Sequence, residues 1–309
     1  MKKLLQVLPL PAAAVGLSFV GLANLFSEIK LLSIICVTVS GWILLSVSLK
    51  IMFDFHGFLK QIKEVPLAAI APTLSMGMIL ISKFLLTWSY WLAFLIWFLG
   101  IFIHVSLLIY FTTTFVNKKQ LSLVLPSWFI VYVGIVVASM TASMFDQQNL
   151  GEIIYFFGFL AFLILLPVVL KRLKNLPLPE PLRPTLAILA APVSLNLAGY
   201  MMAFDEKIVW FVVIQLVAAQ ALYVFVLCQL PKLLCLPFYP SSAALTFPLV
   251  ISAMAFKLST GFLGSVYPNM SGLFWFILRL DQAIALGVVP IVSIRYLRFM
   301  TKQWKVAKK

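Results

Sequence analysis

The sequence predicts an all-α integral membrane protein of ten transmembrane helices, laid out as five helical hairpins in series. Three observations carry that expectation: a composition too apolar for a water-soluble core, ten apolar runs of membrane-spanning length, and a proline that returns at the start of every second run.

Of the 309 residues, 63% are hydrophobic and 10% charged, and the mean hydropathy is +1.10. An ordinary soluble domain is about one quarter charged, so this chain lacks the polar residues to cover its apolar surface in water. The net charge of +14 does not point to nucleic acid, because the basic residues punctuate the apolar runs instead of forming one patch or stripe. They are expected to face cytoplasmic lipid headgroups. Cys36, Cys228 and Cys235 lie in or beside apolar segments and suggest neither a disulfide framework nor a metal cluster. His56 and His104 are too few for a histidine-rich site, and no metal or cofactor is expected. The first run follows Met1-Lys2-Lys3 and is read as a span, not a removed leader, since many equally long runs follow it.

A membrane helix needs roughly 20 apolar residues at 1.5 Å of rise each. The runs that qualify are 9–26, 30–52, 66–86, 88–111, 126–145, 151–170, 184–204, 208–229, 239–260 and 271–296. With a cytoplasmic N-terminus, the inside ends hold 18 basic residues, among them Lys2, Lys3, Lys308 and Lys309. The outside ends hold 4, Lys30, Lys83, Lys207 and Lys257. The positive-inside rule therefore places both termini in the cytoplasm of a multi-pass inner-membrane protein, and an even number of spans follows. The whole of 1–309 reads as one transmembrane unit.

Proline sets the hairpin period. From Pro9 the steps to Pro66, Pro126, Pro184 and Pro240 are 57, 60, 58 and 56 residues, each long enough for one hairpin. Odd spans carry small or helix-interrupting residues, whereas even spans carry bulky ones such as Trp42, Trp91, Phe156 and Trp210. Small residues permit close backbone approach and bulky ones suit lipid, so the odd helices are expected to be inner and the even ones outer. Kinks are expected at Gly16, Pro72, Gly134, Pro192 and Pro248. Tight packing alone would also use small residues; five equivalent helices around an axis would instead leave a conduit that accommodates bends and released carbonyls.

No acidic residue lies well inside an odd span, which argues against a cation route or a carboxylate-driven pump. Ser18, Ser75, Ser139, Ser194, Thr246 and Ser252 are candidate pore-lining donors, although hydroxyls in membrane helices commonly bond their own backbone. Arg279 and Asp281 are intramembrane charges two residues apart, so they point in different directions and are not automatic partners. Each is expected to face inner helices as a cross-link or a regulator, with an anion-ligand role for Arg279 secondary. His104 is expected to be a buried, neutral packing histidine. No GxxxxGK[ST], HExxH or GxSxG motif occurs, and the chain is not expected to be an enzyme.

Three segments carry a resemblance: Leu8-Pro9-Leu10-Pro11 leading to Gly16, Glu180-Pro181 followed by Leu189-Ala190-Ala191-Pro192, and Thr246-Phe247-Pro248-Leu249 followed by Ser252-Ala253-Met254-Ala255. With them in order, essentially the whole chain resembles the tellurite-resistance/dicarboxylate transporter family, which includes plant guard-cell slow anion channels and yeast sulfite or malate exporters. The resemblance implies a pseudo-fivefold ring of hairpins with five inner helices around a central pore, in a homotrimer with one pore per subunit. It implies a phenylalanine gate, which falls on Phe247. Gly16 in place of an interior proline, and Gly134 in the third inner helix, depart from strict fivefold symmetry. The partners implied are the lipid bilayer and small inorganic or organic acid anions. A gated passive anion channel leads; a secondary exporter of dicarboxylates or oxyanions such as malate, sulfite or tellurite is the alternative, and a membrane scaffold the third.

Overall fold

The computed structural model describes residues 8–307, and every regular element among them is helical. Lys2, Lys3, Lys308 and Lys309 of the charge argument lie outside the described residues. Helix α1 (Ala12–Leu25) leads to α2 (Lys30–Phe53) and the short α3 (Phe55–Gln61), whose start is capped by the Asp54 carboxylate accepting from the Gly57 amide at 3.0 Å. Next come α4 (Val65–Ile70) and α5 (Thr73–Leu85), two halves of one stretch, then α6 (Tyr90–Phe115), which opens on a Ser89 cap. A short α7 (Trp128–Tyr132) continues as 3-10 turns at Gly134–Val137 and Ala142–Phe145 before α8 (Gln148–Asn175). The 3-10 stretch Glu180–Ala190 runs into α9 (Ala191–Ala203), followed by α10 (Val209–Leu234). A further 3-10 stretch, Pro240–Leu245, precedes α11 (Phe247–Val266), and α12 (Ser271–Ala307) ends the described chain.

Among the described residues eight helical stretches are long and apolar enough to cross a membrane, where the sequence led us to expect ten. The two that fall short are the first and the fifth. Helix α1 has 14 residues, so it rises only about 21 Å. The expected span 126–145 is broken because its backbone is drawn sideways. Buried His104 approaches the Val131 carbonyl with Nε2 at 3.1 Å, and since a carbonyl only accepts, Nε2–H is the donor. Thr141 Oγ1 accepts from Trp97 Nε1 at 2.9 Å while turning back to the carbonyls of Val137 and Ala138. The His104 contact and the Thr141 back-bonds compete for carbonyls of a continuous i→i−4 ladder, and the chain tightens into 3-10 turns.

The odd–even contrast is visible as burial. In Val65–Leu85, Glu180–Ala203 and Pro240–Val266, 56–83% of the apolar stretch is buried, against 22–33% in the other five. Every residue of α1 except Phe19 is buried. By contrast Trp42, Trp91, Phe102, Phe156, Trp210 and Phe276 stand exposed on α2, α6, α8, α10 and α12. The buried segments contact one another in sequence: α1 packs on α5, α5 on the Gly134–Val137 turn, that turn on α9, α9 on α11, and α11 back on α1.

Helix breaks fall at Ala71–Pro72, at Gly134, and where 3-10 gives way to α just before Pro192 and Pro248. Proline has no N–H to give the ladder, and its ring crowds the carbonyl four residues earlier. No helix break falls at Gly16, and α1 runs unbroken through it. Gly16 instead makes room for a neighbour: a methyl there would lie 3.0 Å from Leu44 Cδ2, and the Ser40 hydroxyl donates to the Gly16 carbonyl at 2.7 Å.

A second interlock joins α8 and α9. Val136 is wedged between Gly158 and Gly199, and a methyl on either would collide with its two branches. Valine holds one stiff rotamer and cannot swing aside. Gly158→Ala is therefore expected to cost about 1–3 kcal/mol of stability by overpacking. Thermal unfolding in detergent checks this, and adding Val136→Ala is expected to recover most of the loss.

Candidate functional site

The five mutually packed segments enclose a cavity of about 40 Å³. Its wall takes Ala14 and Leu17 from α1, Ile70, Thr73 and Met76 from α4 and α5, Phe129 to Gly134 from the broken segment, Ile188 to Leu195 from the α9 region, and Ala243, Ala244, Phe247 and Pro248 from the α11 region. That volume holds no more than a few water-sized particles. Thr73 gives the wall its one side-chain hydroxyl among the described residues, and Thr73 Oγ1 already donates to the Ile70 carbonyl at 2.7 Å. Ala14, Thr73, Ala191 and Phe247 all belong to the first turns of their helices, so the N-terminal ends of α1, α5, α9 and α11 border one apolar space. Helix N-termini carry partial positive charge.

Phe247 is 7% exposed and sits at the first position of α11. Its ring reaches across to α1, where a methyl on Gly21 would touch it at 3.6 Å. A second cavity, of about 180 Å³, lies at the N-terminal ends of the same segments. Pro11, Pro66, Pro181 and Pro240 line it, and Ile70 borders both spaces.

A family model described as voltage-dependent anion channel matches residues 8–294, nearly the whole chain. The chain belongs to the voltage-dependent anion channel family. Comparison with curated proteins gives no match. Membership of the voltage-dependent anion channel family makes this a multi-pass membrane protein of an anion-transporting class, the same family the proline segments pointed to.

Within this family member, the six hydroxyls expected to face a pore do not line the central cavity. Five of them stitch the segments together. Ser18 lies 2.7 Å from both the Ala14 carbonyl and Thr246 Oγ1, and Thr246 passes its own proton to the Ala243 carbonyl at 2.6 Å. Ser194 and Ser252 meet at 3.0 Å beside the Ala190 carbonyl. Ser75 bonds the Pro72 carbonyl and touches His104 Nδ1 at 3.0 Å. Ser139 is fully buried, with no hydrogen-bond partner in the protein. In apolar surroundings a hydroxyl takes the nearest carbonyl, and helix breaks supply several.

Arg279 and Asp281 are not paired. Arg279 is exposed, donates to Gln282 Oε1 at 3.0 Å and lies over the Trp275 ring. Asp281 is buried on α12, and its Oδ2 has no partner in the protein. Sequence reasoning passed over a second polar group, Tyr155 on α8, Asn196 on α9 and Gln215 on α10. All three are buried; Tyr155 and Gln215 interact with each other, and neither amide atom of Asn196 has a hydrogen-bond partner in the protein. The signal was present as isolated amides inside apolar runs.

Proposed function

We propose that the chain is a gated, passive channel for small anions, with one transmembrane unit of ten crossings forming five hairpins in a pseudo-fivefold ring. The observation that carries this reading is the small cavity bordered by all five buried segments and closed on one side by Phe247. An apolar constriction with a ring across it blocks ions by excluding water. The N-terminal ends of four helices supply positive potential without a formal charge, which favours an anion and not a cation. The proline-lined cavity is then the cytoplasmic vestibule, with both termini on that side and the inner membrane as location. Three copies, each with its own pore, form the assembly.

Coupled export of dicarboxylates is less well supported, because the cavity is small and its wall carries no carboxylate to take up a proton. The deciding measurement is current across a planar bilayer under asymmetric chloride. A reversal potential that follows the chloride gradient is expected. Saturable, proton-gradient-dependent malate or sulfite flux without such a current would sink the channel reading.

A further inference from the structure

The cavity-lining faces of three helices can be followed past Phe247. On α1 the stripe is Ala14, Leu17, Gly21, Asn24; on α5 it is Thr73, Met76, Leu80, Lys83; on α11 it is Phe247, Val250, Met254, Lys257. Each advances by 3, 4 and 3 residues, one continuous helix face, and each ends on a polar side chain about 10–15 Å beyond the cavity. These three ends meet. Lys83 Nζ donates to Asn24 Oδ1 at 2.9 Å, and Lys257 Nζ donates to the Leu25 carbonyl at 2.9 Å and to Glu28 Oε1 at 2.5 Å.

The charges there do not balance. Lys257–Glu28 is the one ion pair among the described residues, and Lys83 has no carboxylate within reach. The Lys257 charge acts on Lys83, and the Arg279 charge acts on Glu28. Lys257 holds the Glu28 carboxyl below the usual carboxylate range, so it stays ionised. One carboxylate thus faces three cations. An ammonium has three donors, and Lys83 spends one of them on Asn24. Only four basic residues mark the ends opposite the basic face, and two of them, Lys83 and Lys257, converge here.

We propose that Lys83 and Lys257, with Asn24 between them, form an outer binding site for a small monovalent anion or oxyanion that feeds the conduit past Phe247. This rests on the channel reading for its role, but not for the existence of the site. Half-buried like charges side by side repel, and a shared anion removes the repulsion. The site also raises the local anion concentration at a mouth that otherwise has few cations.

The test uses the full-length protein in detergent. Thermal unfolding is followed while chloride replaces gluconate at constant ionic strength, for the wild type, Lys83→Gln, Lys83→Arg and Lys257→Gln. Chloride is expected to raise Tm in the wild type and in Lys83→Arg, and to lose most of that effect in the two Gln variants. Equal chloride shifts in all four overturn the site, whether or not the protein conducts. In bilayers, Lys83→Gln in a Phe247→Ala background is expected to lower conductance several-fold at low outer chloride and to converge with its parent at high chloride. A lost Tm shift with unchanged conductance would overturn the feeding role. Absence of anion current in every variant would overturn the channel reading and leave the Tm series to decide the site.

Discussion

Phe247→Ala is expected to raise basal anion current with the reversal potential unchanged. The ring lines the cavity and crosses from the first turn of α11 to Gly21 of α1. Since every 1.36 kcal/mol removed from a barrier speeds passage tenfold, even a modest plug implies a rise of at least about tenfold. Phe247→Leu, which keeps much of the apolar bulk, is expected to fall between the two. If the ring were packing alone, Phe247→Ala would cost about 3–5 kcal/mol of stability and leave the current as it was. Single-channel recording alongside a Tm measurement separates these outcomes. Pro248 fits the position: at the second residue of α11 it lacks an N–H that a helix start leaves without an intrahelical partner, so the chain restarts as α-helix beside Phe247 at little cost.

Leu44→Ala is expected to destabilise the protein by about 2–5 kcal/mol. Leu44 is an outer-helix side chain, 4% exposed, that fills the gap between Gly16 of α1 and Gly77 of α5. A methyl on Gly77 would lie 2.7 and 2.8 Å from its two terminal carbons. Lipid tails are as apolar as leucine, so helices in a membrane hold together through such fitted contacts and not through escape from water. The sign of a second substitution then reverses with background. Gly77→Ala should destabilise the wild type but partly restore Leu44→Ala, because the methyl enters space the leucine has left. Unfolding of the four proteins in one detergent gives the coupling energy, and additive losses would show that Leu44 is not the wedge.

The membrane character was legible in the composition, and the helix breaks fall beside Pro72, Pro192 and Pro248 because proline acts on its own backbone, within four residues of itself. Gly16 was misread for the complementary reason. A glycine marks either a bend or a close neighbour, and which one depends on Leu44, which is 28 positions away in sequence. The broken segment at 126–145 was hidden likewise, since its carbonyls are claimed by His104 and its Thr141 by Trp97, both on another helix. The hydroxyls were chosen by type, whereas direction decides what a hydroxyl meets. Yet the face that continues from the cavity to Asn24, Lys83 and Lys257 was present as a plain 3, 4, 3 spacing. It needed only one known cavity residue per helix to set the phase.

The bond from Ser18 to Thr246 joins positions 228 residues apart, and so has a consequence for biogenesis. At ribosomal rates of 5–20 residues per second, roughly 10–50 seconds separate the synthesis of the two hydroxyls. Throughout that interval α1 resides in the bilayer without α11 beside it. Ser18 is provided for, because the Ala14 carbonyl of its own helix lies at the same 2.7 Å. The early helices are thus able to wait as inserted, locally satisfied pieces until α11 emerges and packs against α1.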